Sequence, residues 1–174
     1  MACDINANFT LADFCKEIGG ASTVYVTKFL KSYSTSWGLT GSYTNIVTSW
    51  GGATPSWYKI EQPAESINFT AAGETNATNA AIRPSVTFVI PGFNANSNGY
   101  TTTLYKGFWL VAVEDLSGKI HLATLKSPMS STALTSGLGQ AVLDPAASTL
   151  TLAGVSAEIS YEINTALFQA AVHS

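Results

Sequence analysis

The chain has 174 residues, enough for one domain with a real hydrophobic core and no need of disulfide or metal staples. Charged residues make up only 11% of it, against about a quarter in an average soluble domain, while the hydrophobic share of 46% is ordinary. With a formal net charge of −3 and no basic run, the composition excludes tight nucleic-acid binding and a polybasic membrane contact, both of which need clustered cations. Ser, Thr, Asn, Gly and Ala take the place of the missing charge, and a monomer with that surface is a poor colloid. Two readings stand level: an extracellular β-protein with a Ser/Thr-rich surface, or a subunit whose surface its neighbours cover.

Met1–Ile18 is a polar-apolar lead with room for a helical turn, ended by Gly19-Gly20. It carries Asp4 and no basic start followed by an apolar core, so it does not read as a secretory signal. No apolar run approaches the length of a membrane span. Cys3 and Cys15 read as buried free thiols: no second pair and no neighbouring His completes a metal site, and a bond between them closes only a short loop. Thr23–Thr27 (TVYVT) is a strand by its β-branched content and alternation.

Ser32–Ser56 contains no charged residue and is punctuated by Tyr33, Trp37, Tyr43 and Trp50. A structureless loop of that length is unusual in a compact domain, and disorder goes with charge and few aromatics, the reverse of this composition. The segment reads as a long hairpin or arm that packs its aromatics either on the domain's own sheet or on a partner.

Trp57–Gln62 and Ser66–Thr70 are strand candidates, and Ala71–Ala81 is a connection of small and polar residues. Ser85–Ile90 alternates Val86, Phe88 and Ile90 against Ser85, Thr87 and Val89, bracketed by Pro84 and Pro91, which keeps its ends out of central ladder positions. Tyr100–Lys106 suits strand or helix, and the helix is favoured, with Gly107 as its stop.

Phe108–Leu125 is the centre of the chain. Phe108–Val113 is apolar throughout, the pattern of a strand buried on both faces. Asp115-Leu116-Ser117-Gly118 fits a type I turn, with Asp accepting backbone bonds and Gly tolerating positive φ. Lys119–Leu125 returns with Ile120, Leu122 and Thr124 on one face and Lys119, His121 and Ala123 on the other. Glu114 and Lys119 flank the turn and are expected to pair. The domain core covers one face of Phe108–Val113; the other is left to the helix or to a neighbouring subunit.

Lys126–Gly139 reads as a connection and Gly139–Leu143 as a short strand. Ser148–Ala153 is a strand with Leu150 and Leu152 inward and Val155 as a candidate third. Ala157–Ile163 alternates Ile159, Tyr161 and Ile163 against Glu158, Ser160 and Glu162, and Thr165–Val172 suits a short helix or a docking tail. About eight strands arrive in series with short connections, which predicts a mainly β, antiparallel sandwich or small barrel with one short helix and a long hairpin arm. The domain runs over 1–174, with the arm at about 32–56.

No catalytic constellation emerges. His121 and His173 are the only histidines, and nothing marks a partner for a catalytic base. Glu114 and Asp115 are adjacent on a strand and point to opposite faces, so they do not converge as paired carboxylates do. There is no nucleophile elbow, phosphate-cradling loop or zinc-protease motif. The chain is read as having no enzymatic activity, no metal and no cofactor. Trp37, Trp50 and Trp57 suit a sugar-stacking platform, which makes a carbohydrate-binding module an alternative.

The opening MACDIN…FCKEIGGASTVYVTKF resembles that of a family of virion proteins from Bacteroidetes phages and related viruses, through Cys3, Cys15, Ile18, Gly19, Gly20, Val24 and Tyr25. The likeness continues with Trp57-Tyr58-Lys59, with the helix, apolar strand, Asp-x-x-Gly turn and return strand of Tyr100–Leu125, and with Leu150-Thr151-Leu152-Ala153-Gly154 near the end. The family is shorter where Ser32–Ser56 stands, so that stretch looks like an enlarged arm, and Pro145 departs from the family's approach to its last strands.

The family is placed with tail-tube structural proteins. The resemblance implies a subunit that self-associates into hexameric rings, stacked into a conduit through which genomic DNA passes without specific binding. It implies contacts with other virion proteins and none with membrane, a location in the virion tail, and assembly in the host cytoplasm. In that frame Trp37, Tyr43 and Trp50 are expected to anchor the arm on a neighbour, and Asp144, Glu158 and Glu162 to face the lumen, where acids repel DNA. A capsid-decorating or other virion protein is the structural alternative.

Overall fold

The computed structural model describes residues 20–40, 45–61, 66–75, 80–138 and 146–173. In chain order the elements are β1 (Ala21–Lys28), α1 (Tyr33–Ser36), β2 (Gly38–Thr40), β3 (Ile46–Ser49), β4 (Tyr58–Ile60), β5 (Asn68–Thr75), β6 (Ala80–Pro91), α2 (Ala95–Lys106), β7 (Trp109–Asp115), β8 (Ile120–Leu122), β9 (Ser130–Gly137), β10 (Ala147–Ala153), β11 (Tyr161–Ile163) and α3 (Thr165–Gln169). They form a seven-stranded sheet, β2-β3-β11-β8-β7-β1-β4, and a four-stranded sheet, β5-β6-β10-β9. Neighbouring strands are antiparallel except β11 and β3, which run parallel. The fold is a β-sandwich. Among the described residues neither sheet closes on itself, so the barrel alternative is not realised.

Strand β7 sits where its composition demands. Leu110 and Ala112 point into one buried cluster with Tyr25, Ile120, Leu122 and Ile163; Val111 and Val113 point into a second with Val24, Val26, Phe88, Leu150 and Leu152. The second cluster is the interior between the two sheets. The first is roofed by Tyr33, Trp37, Trp50, Trp57 and the Phe168 of α3. Both covers therefore come from the same chain, and the expectation that the domain's own core reaches only one face is corrected.

The roof also corrects the reading of the arm. Trp37 and Trp50 are only 7% and 6% exposed. Their rings meet edge-on at 4.5 Å, with Tyr33 stacked on Trp37 at 5.1 Å. Each indole N–H has a backbone acceptor: Trp37 Nε1 donates to the Ala53 carbonyl at 3.0 Å and Trp50 Nε1 to that of Leu167 at 3.3 Å. Strands β2 and β3 form a hairpin that joins the large sheet through β11. The described part of Ser32–Ser56 is thus a layer on the domain's own sheet, the other of the two readings weighed for it. At its buried positions, such as Tyr33, Trp37, Val47 and Trp50, the lack of charge follows from the cost of burying an unpaired charge.

Other departures have local causes. The described residues of Ala71–Ala81 are not a connection: 71–75 belong to β5 and 80–81 to β6, paired with each other, and Pro84 lies inside β6. The Pro84 carbonyl accepts from the Gly154 N–H at 3.1 Å. The absent Pro84 N–H faces the same side, so Pro84 and Gly154 share one bond where the next pair, Ile82 and Ser156, shares two. Helix α2 begins before Tyr100 because Asn94 caps it. The Asn94 side chain accepts from the Asn96 and Ser97 N–H groups, both at 3.0 Å, and Ser97 Oγ accepts from the Asn94 N–H at 2.9 Å. Gly107 ends the helix in extended backbone, without the left-handed conformation of a glycine stop. A Cβ there would lie 2.6 Å from the Trp109 indole, whose N–H donates to the Leu104 carbonyl at 2.9 Å. Among the described residues there are three helices where one was expected. Strand β9 lies within the stretch read as a connection, Ile159 falls in a bend outside β11, and Val155 is exposed. Cys3, Cys15, Tyr43 and Gly139–Leu143 lie outside the described residues.

Because Trp50 is a buried roof residue, Trp50→Ala is expected to lower unfolding stability by about 3–5 kcal/mol, the cost of emptying a large aromatic site. Urea denaturation measures it, and a loss below about 1 kcal/mol would show that the segment does not belong to the core.

Candidate assembly surfaces

The turn of the central hairpin forms as its residues require. Asp115 Oδ1 accepts from the Ser117 N–H (2.8 Å), the Ser117 hydroxyl (2.7 Å) and the Lys119 N–H (2.9 Å). Gly118 donates its N–H to the Asp115 carbonyl at 3.1 Å and takes φ +84°, a conformation that glycine adopts without strain. His121 Nε2 lies 3.2 Å from Asp115 Oδ2. Burial opposes ionisation of Asp115, but the hydrogen bonds from the Ser117 hydroxyl, the Lys119 N–H, His121 and the Ser117 N–H outweigh it and bring the carboxyl down to about 2. Glu114, expected to meet Lys119, accepts from the Tyr25 hydroxyl at 2.8 Å across the β1–β7 pair. Burial first, and Glu114 second, push the Tyr25 phenol up to about 12.

These groups are engaged in holding the turn and the strands. The Ser117 hydroxyl donates to the carboxylate that also meets His121, so it is not set up as an activated nucleophile. Among the described residues no three His, Cys, Asp or Glu side chains are grouped to hold a metal ion. No helix among them is long and apolar enough to cross a membrane.

Of the expected lumen acids, Glu158 and Glu162 do not share a strand. Glu162 lies on β11 of the large sheet, in register with His121 on β8 and Ile46 on β3. Glu158 lies outside that strand, in the bend over 157–159, and Asp144 lies outside the described residues. The alternation breaks because Ser156 leaves the line of β11 and pairs with Ile82, through N–H···O bonds of 2.8 and 3.1 Å.

The small sheet presents a different surface. Its inward face carries Val86, Phe88, Leu150 and Leu152. Registers place Asn68, Thr70, Ser85, Thr87, Thr149, Thr151, Ala133 and Thr135 together on the outward face. Thr87 and Thr151 share a hydroxyl–hydroxyl bond of 2.9 Å there. The described charges on this face are Glu74 and Arg83, at its far end, and they pair with each other.

Both edges of this sheet are bare of charge over long stretches. Strand β9 is paired only with β10; after one register shift near Thr132, Ala133–Gly137 runs on with neither charge nor proline. Strand β5, at the opposite edge, has no charge from Asn68 to Gly73. Sequence reading placed the start of β5 in Ser66–Thr70 but ended it too early, and it missed β9, since Ser/Thr-rich strands look like loops. The tryptophans, by contrast, are unavailable as a sugar platform: Trp37, Trp50 and Trp57 are all buried.

The charge on Asp115 favours the folded state only while it is ionised. Asp115→Asn is expected to cost about 1–2 kcal/mol at pH 7, since an unfolded carboxyl titrates near 3.9 and the folded one well below. The difference should persist above about pH 4 and fade as pH falls through about 2, below which both states of the wild type are protonated. Urea midpoints across that range measure it; a loss independent of pH would assign the effect to turn geometry instead of charge.

Comparison with known proteins adds no assignment: no protein-family model matches the chain, and no curated protein or solved structure is significantly similar to it.

Proposed function

We propose that this chain is a non-enzymatic structural subunit of a phage tail tube, self-associating into rings that stack around a DNA conduit. The observation that carries the reading is the small sheet with two opposite edges free of charge over long stretches, Asn68–Gly73 on β5 and Ser130–Gly137 on β9. Proteins that stay monomeric guard such edges with lysine, proline, short strands or a covering element, because a bare edge is a template for another strand. Bare edges at the two opposite sides of one sheet suit a head-to-tail contact, which closes into a ring when the rotation between copies allows. The resemblance to tail-tube proteins supplies the hexamer and the virion tail, with other virion proteins as neighbours.

The same sheet suits the wall of the conduit. Its outward face of hydroxyls and small side chains, with Glu74 and Arg83 cancelling, offers no net cation to hold phosphates. DNA then slides past a neutral wall, in place of the acidic lining expected from Asp144, Glu158 and Glu162.

Purified chain at rising concentration, viewed by negative-stain microscopy and sedimentation, is expected to form rings and tubes with a central channel. A monodisperse monomer at high concentration would overturn the proposal.

A further inference from the structure

The interior between the sheets is not closed at one end. Val26 and Ile60 of the large sheet, Ile90 of β6, and Leu104 and Trp109 around α2 open into an apolar groove of about 510 Å³. Tyr100 stands at its lip, 70% exposed, beside the exposed Tyr58. Lysines surround it: Lys59 on β4, near Glu61, and Lys28 and Lys106 in the adjoining hollow. Among the described residues, three cations against one carboxylate make this rim basic in a chain that is acidic overall.

At the other end of β6 the surface is the opposite. Ser156, nearly buried, is held to Ile82 by two backbone bonds, and its hydroxyl accepts from the Glu158 N–H at 3.2 Å. This fixes a bend on which Ile159 is 64% exposed and Val155 40% exposed. Exposure of Ile159 is therefore a property of a pinned turn, not of a fraying end. The stretch 154–160 carries Glu158 and no cation. Ile82 and Ile90 are eight residues apart on one strand, so knob and groove lie about 26 Å from each other along the sheet.

We infer that the groove of one copy receives the Val155–Ile159 knob of a second copy, stacking subunits along the strand direction of the small sheet. An apolar groove is matched by an apolar knob, a basic rim by the carboxylate beside that knob, and the two sit at opposite ends of the same element. A contact between different patches at opposite ends repeats from copy to copy and generates a stack instead of a closed pair. This rests on the tail-tube reading and names the contact between successive rings, the task that the buried Trp37 and Trp50 cannot perform.

The test uses the full chain under conditions in which it assembles, with photo-crosslinking benzoylphenylalanine incorporated at position 100. Expected is an inter-copy product whose crosslinked peptide spans residues 154–160. Tubes that form with the crosslink elsewhere, or between two grooves, would overturn this contact and leave the tail-tube reading standing; a chain that stays monomeric overturns both. Charge reversal gives a second measure. Glu158→Lys is expected to raise the concentration needed for stacking about tenfold, while rings persist, and Lys106→Glu added to it to restore stacking. Stacking that is unchanged by Glu158→Lys, or not restored in the double variant, counts against the contact.

Discussion

The fold depends on a strand that is apolar on both sides. Residues 110–113 are buried on each face, and a strand of that kind is stable only between two covers. One cover is the four-stranded sheet. The other is a roof of aromatic rings, Tyr33, Trp37, Trp50, Trp57 and Phe168, brought by a long excursion after β1 and by the C-terminal helix α3. Large rings suit this position because a few of them cover much apolar area and restrict few torsions, and each indole N–H of Trp37 and Trp50 finds a carbonyl. The absence of charge at the buried residues of this excursion, Tyr33, Trp37, Val47 and Trp50, is what packing on the sheet requires.

What was legible in the sequence follows from where pattern and environment agree. Strands β1, β6, β7 and β10 alternate or run apolar because they face closed cores, and the turn at Asp115–Gly118 is written in residues that each have one use there. Pattern failed where the environment was mixed. Strand β9 has solvent along one edge and on its outward face, so its residues are the Ser and Thr of a loop. The start of α2 was hidden because Ser97 closes the capping box where Glu or Gln is usual. Ile159 kept the alternation of β11 yet lies outside it, since the backbone of Ser156 is taken by β6. For residues 32–56 the residue types were read correctly and the partner was not, because burial against one's own sheet and burial against a neighbour select the same side chains.

This division of cover leaves the small sheet with obligations on one side only. Its inward residues complete the core over β1 and β7, while its outward hydroxyl face and both long edges are not required for the monomer to fold. A subunit that must fold before it assembles needs that separation. If a neighbour had to cover β7, the free chain would expose a large apolar face at the stage when it is alone, with the aggregation that follows. With both faces of β7 covered from within, the small sheet's outward face is mostly polar, and its described charges, Glu74 and Arg83, pair with each other. Such a surface carries little desolvation penalty when a partner's backbone pairs with it, since hydroxyls and backbone groups exchange water for protein hydrogen bonds at nearly equal energy. In the proposed assembly the scarcity of charge, a liability for a lone monomer in solution, would let copies pair along their edges without like charges opposing one another.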